Sequence, residues 1–200
     1  MSVESLRPAP MGPLASGADT GRAGFRQRIA ERRRLAGHDR TAAQLAELHR
    51  VRTVLTEAAA VVAAGWIQHG WFGYLDEQGR QQVVDGYHLH RMAGRHPTGA
   101  CLVGAVVQAA GGLPAAHSQP VHQALDLIWQ ALTGNDEPVG HCPAPALRVA
   151  RVRELTAWND RPHRTVHQVG DLLDAAGRRA ADQLERISLP VPDFSTSGRG

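Results

Sequence analysis

The sequence predicts a mainly α fold: a compact bundle of five or six helices with at most one small β-hairpin, between flexible N- and C-terminal tails. Two observations carry this. Apolar residues recur at every third or fourth position through several stretches, which is helical periodicity. The hydrophobic share of 42% rests on Ala, Val and Leu, with only 4% aromatics, a composition that suits helices packed through small side chains.

Taken in order, Met1 to about Ala23 is rich in Pro, Gly, Ser and Ala and is expected to be disordered. Phe25 to Ala36 reads as a short basic helix with Phe25 and Ile29 on one side. Thr41 and Gln44 have the spacing of a capping box. Leu45, Leu48, Val51, Leu55, Ala58 and Val62 then form a helical stripe that should stop at Gly65. From Trp66 to Val84 aromatics alternate loosely with polar residues around Asp76-Glu77-Gln78-Gly79, which suggests a small hairpin or ordered loop. Asp85 to Pro97 is loop-like and rich in His and Arg.

Thr98 or Gly99 should open a helix through Cys101 to Ala110, stopped by Gly111-Gly112. Ser118, with Pro120 just inside, should start another through Leu125 and Trp129 to Gly134. Asn135 to Pro145 has turn composition. Ala144 to Ile187 reads as two helices joined at Trp158-Asn159-Asp160-Arg161-Pro162. Pro162 disfavours helix at Arg161, and Thr165 with Gln168 makes a T-x-x-Q capping box for the second helix. Val166, Val169, Leu173, Ala176, Ala180, Leu184 and Ile187 form the cleanest amphipathic stripe in the chain. Trp158 should be largely buried at the corner, and Asn159 and Asp160 should bond to local backbone. The expected organisation is a basic arm over 1–40, disordered to partly helical, a single helical domain over 41–188, and a flexible tail over 189–200.

The charge is uneven. All 22 basic residues are Arg. Residues 1–40 hold eight Arg against four acids, whereas the remaining chain holds fourteen Arg against fifteen acids. The basicity therefore belongs to the arm. Arg22, Arg26, Arg28, Arg32, Arg33 and Arg34 could neutralise phosphates together and give salt-dependent nucleic-acid affinity. The competing reading is a solvated arm whose Arg content reflects GC-rich coding. No helix-turn-helix or RNA-binding signature accompanies it. Two cysteines are too few for a disulfide framework, and no secretory signal or membrane span is legible, so a cytoplasmic address is expected.

Two other patterns bear on chemistry. Cys101 stands in the first turn of its expected helix, where the helix dipole favours a thiolate. His96 could act as its base and Asp160 could orient that base, giving a cysteine-dependent hydrolase or transferase. The alternative, favoured because no local signature of a cysteine enzyme surrounds it, is that Cys101 is a small core residue on a helix made thin by Gly104 and Ala105. Gly170 and Gly177 would likewise thin the last helix for close packing. His88, His90 and His96 with His141 and Cys142 contain metal-ligand residue types, but their spacing matches no zinc motif. Neither a metal nor a cofactor is expected.

The order Gly65-Trp66, Asp76-x-x-Gly79, Cys101-x-x-Gly104-Ala105 with Ala110-Gly111-Gly112, and Trp158-Asn159-Asp160 followed by Arg164-Thr165 resembles a family of short helical proteins of unknown function from actinobacteria and their phages. The resemblance covers about residues 45–182. It implies a compact helical fold and supplies no activity or catalytic residues; the arm lies outside it. The expectation is a non-enzymatic binding or regulatory module whose partner is nucleic acid or another protein.

Overall fold

The structure, a computed structural model, describes residues 18–135 and 144–189, with side chains from Phe25 onward except that of Arg26. Five α-helices and one small sheet make up the described residues: α1 (Ala18–Ala64), β1 (Phe72–Leu75), β2 (Gln81–Val84), β3 (Gly99–Ala100), α2 (Leu102–Ala109), α3 (Gln119–Thr133), α4 (Pro145–Asn159) and α5 (Val166–Ser188). The chain divides into two units, Met1–Ala42 and Ala43–Gly200.

In the first unit the described residues are helical from Ala18 onward. Residues 1–17 lie outside the described residues. Phe25 and Leu35 are exposed there, at 60% and 55%. Thr41 is not a cap. It sits inside α1, and its hydroxyl donates to the Gly37 carbonyl one turn back. A capping box needs an extended residue at its first position; with good helix formers on both sides of Thr41, the backbone continues helical instead.

In the second unit the apolar face of α1 contributes Leu48, Val51, Leu55, Ala58 and Val62 to the core. α2 is buried from Leu102 to Val107. α4 and α5 both pack on α3, so Ala144–Ile187 is not a hairpin packed chiefly on itself. The weak stripe of α4 explains this: Leu147 and Val149 stay exposed, and Leu155 alone among its aliphatic residues is fully buried. Arg151 ties α4 to α3 through an ion pair with Asp126 and lies 4.5 Å from the centre of the Trp129 ring. α5 buries Val169, Leu172, Leu173, Ala176, Ala180 and Leu184. Thr165 caps it: its hydroxyl accepts from the Gln168 N–H at 3.3 Å while the Gln168 side chain accepts from the Thr165 N–H at 3.1 Å.

The expected hairpin is present and gains a third strand. β1 pairs antiparallel with β2, Phe72 opposite Val84, and with β3, Phe72 opposite Ala100. The Asp76 carboxylate closes the turn by accepting from the Gln78 and Arg80 N–H groups, and Gly79 supplies the positive φ. Gly99 therefore lies in a strand and the following helix starts later than expected, at Leu102. The sheet lies close on α2, since a Cβ added at Gly104 would sit 2.1 Å from the Trp71 carbonyl oxygen.

Candidate functional site

The Trp158-Asn159-Asp160 turn becomes the polar centre of the second unit. Asn159 is wholly buried, and its bonds reach far along the chain. Its Oδ1 accepts from the Trp66 indole N–H at 2.9 Å and from the Leu102 backbone N–H at 3.1 Å. Its Nδ2 donates to the Ile67 carbonyl at 3.3 Å and to Asp160 Oδ1 at 2.9 Å. Gln68 Nε2 donates to the Asn159 and Arg161 carbonyls, and Asp160 Oδ1 accepts from the His69 N–H. The carboxamide thus joins the segment after α1, the first turn of α2 and the end of α4. Local backbone bonding, the expected role of this pair, accounts for little of what it does.

Trp158 is only partly buried, in place of the deep burial expected of it. The helical stripe turns Asn159 rather than Trp158 into the interior. Arg164 covers the indole, with its guanidinium carbon 3.9 Å from the ring centre and its Nε donating to the Trp158 carbonyl. His69 and His163 flank this corner in left-handed backbone conformation, at φ 61° and 66°. Such values are uncommon for residues other than glycine, although His adopts them more readily than most.

Cys101 is the N-cap of α2, and its sulfur accepts from the Gly104 N–H at 3.4 Å. It is completely buried. Burial pushes its thiol up to about 12; the Gly104 and Val103 N–H groups oppose this and the Asp160 charge adds to it. A thiol so displaced is protonated at neutral pH, which removes the nucleophile the Cys101, His96 and Asp160 reading requires. His96 is exposed on the segment before β3. The structure places Cys101 as a capping and packing residue.

The His-rich stretch does not gather into a site. His88 and His90 are exposed, and His88 Nδ1 lies 2.7 Å from Asp85. Among the described residues no three His, Cys, Asp or Glu side chains are placed to hold a metal ion. His141 and Cys142 lie outside the described residues.

The arginines remain. Arg28, Arg32, Arg33, Arg34 and Arg40 are exposed on α1. Arg33 and Arg40, seven residues apart, share one helical face, and Arg28 and Arg32, four apart, share another. Arg22 and Arg26 belong to the same helix, and their side chains are outside those described.

Gln68 and the Asp126–Arg151 pair are contributors that sequence patterns did not single out, and Trp66 entered only as part of the Gly65-Trp66 motif, without a role. A buried-face Asp in the stripe of α3 was the available signal for the pair, because a carboxylate there requires a cation. Nothing local signals the bond between Trp66 and Asn159.

Neither the curated proteins nor the solved structures include a match to this chain. Its residues 46–179 match the model of DUF6197, a family of unknown function, and the chain belongs to that family.

Proposed function

We propose that this protein is a non-enzymatic binding module that holds nucleic acid through phosphate contacts made by the arginines of its N-terminal arm. The reading rests on one observation above all: Arg28, Arg32, Arg33, Arg34 and Arg40 stand exposed on helix, while the chain beyond residue 40 is nearly neutral. Non-specific affinity for nucleic acid comes from cationic side chains neutralising phosphates and releasing counterions. Helical spacing presents them on a stiff scaffold. Arg is suited to this because its planar guanidinium can make paired bonds to phosphate oxygens. The arm falls outside the span matched by the family, 46–179.

The burial of Cys101 supports a binding role over a catalytic one. Base-specific readout is not part of the proposal, since nothing in the arm is a recognisable reading element.

The test is a salt titration of duplex DNA and RNA binding, using the full chain and a truncated chain starting at Thr41. Five simultaneous phosphate contacts would give a slope of log K against log salt of about −4 to −5 on B-DNA. The truncated chain should lose the affinity. A full chain without affinity at low salt, or a truncated chain that binds as well, would overturn the proposal.

A further inference from the structure

Gly170 and Gly177 lie seven residues apart on one face of α5, and an added Cβ at either would meet nothing within 4 Å. Glycine inside a helix costs about 1 kcal/mol relative to Ala, and among the described residues no packing offsets it here. The contrast is Gly104, whose bare backbone is needed against Trp71. Beside Gly170 runs a groove of about 320 Å³ between α5 and the second-unit part of α1. Val62, Ala63 and Val166 give it an apolar floor, and Asp171 and Asp174 an acidic rim. His167 is the remaining titratable residue of its lining.

A thin helix face beside an apolar, acid-rimmed groove fits a basic amphipathic helix. The chain contains one. Phe25, Ile29 and Ala36 follow at steps of four and seven, so they share a face, and Phe25 is 60% exposed. Arg28 and Arg33 flank that face, Arg32 lies on it beside Ile29 and Ala36, and all three are opposite in sign to the rim.

We infer that residues 25–36 of a second copy dock in the groove beside Gly170, making this protein a dimer by exchange of its basic arms. Phe25, with the half-buried Ile29 and Ala36 behind it, enters the floor, glycine lets the backbones approach, and the arginines meet Asp171 and Asp174. The inference does not depend on nucleic-acid binding and is tested without it.

Sedimentation velocity on the nuclease-treated full chain should show a dimer at low salt that weakens as salt rises, because the rim contacts are ionic. Gly170→Leu fills the approach and should give a monomer with unchanged or higher melting temperature. The double change Asp171→Arg and Asp174→Arg should also give a monomer. A second full-length chain carrying Arg32→Glu and Arg33→Glu should likewise be monomeric alone. Mixing those two charge-reversed chains should restore association, which a merely misfolded variant could not do. A full chain that stays monomeric at low salt over a wide concentration range overturns the inference. So does a dimer that survives Gly170→Leu, or a mixture that fails to associate.

Discussion

Replacing Asn159 with Ala isolates the central polar link of the second unit. The change removes the acceptor for the Trp66 indole N–H and the Leu102 N–H, and a donor to the Ile67 carbonyl. The Leu102 bond is buried, so water cannot replace it without opening the corner. An unsatisfied buried polar group costs about 1–3 kcal/mol. The Trp66 and Ile67 bonds are part-buried and could be partly rescued by water. Taking the full cost for Leu102 and about half for the other two gives about 2–6 kcal/mol. That is a large part of the stability of an ordinary domain. Urea unfolding of wild type and variant, followed by circular dichroism and Trp fluorescence, measures the difference through the shift in midpoint at constant slope. Trp66→Phe, which deletes the indole donor and part of the ring packed on the core, should cost about 1 kcal/mol or more. In the double mutant the two losses should not add, since they share one bond. A loss below about 1 kcal/mol for Asn159→Ala, or full additivity with Trp66→Phe, would refute the reasoning.

The remaining predictions concern packing, capping and titration. Thr165→Ala removes the acceptor for the Gln168 N–H and should lower stability by about 1 kcal/mol in urea unfolding. Gly104→Ala forces a Cβ to 2.1 Å from the Trp71 carbonyl and should cost about 3 kcal/mol or more by the same assay. The Cys101 thiol should resist a disulfide reagent in the native protein and react once urea unfolds it, as mass spectrometry of labelled peptides would show. Its pKa rises from 9.0 unfolded to about 12 folded, so between those values the unfolded state releases a proton that the folded state keeps. Stability should therefore fall as pH rises from 9 toward 12, and Cys101→Ala should remove that part of the alkaline loss in thermal melts.

Local signals in the sequence located much of the fold because the physics behind them is local. The Thr165–Gln168 box, the Gly134 stop and the stripe of α5 each involve residues within a few positions of one another, and each is present. The same T-x-x-Q pattern at Thr41 failed because nothing nearby breaks the helix. Spacing alone permits a cap, and the backbone adopts one only where continuing the helix is worse. At Thr165 the preceding Pro162 and the left-handed His163 supply that break. The third strand, Gly99–Ala100, is two residues long and pairs with Phe72 and Gly73, so no alternation could announce it. Asn159 reads locally as a turn residue. Its partner Trp66 lies 93 positions away, and no periodicity encodes a bond of that range.

The Cys101 corner shows how a catalytic pattern in sequence can describe a structural joint. A thiol at a helix start, with a carboxylate near it, has the parts of an activated nucleophile. The outcome depends on which electrostatic effect is larger. A helix N-terminus favours an anion by about 0.3–1 kcal/mol in exposed settings and about 2 kcal/mol at best. Removing a charged group from water costs several kcal/mol. Asp160, itself negative, acts on Cys101 in the same direction as burial. Burial, the largest influence, keeps the proton on sulfur, so the N–H groups of α2 meet a neutral thiol and a carboxamide rather than an anion. A working thiolate at this position would need an open path to water and a cation near the sulfur. The fold supplies Asn159 and a closed core instead, and the same residues hold three distant segments together.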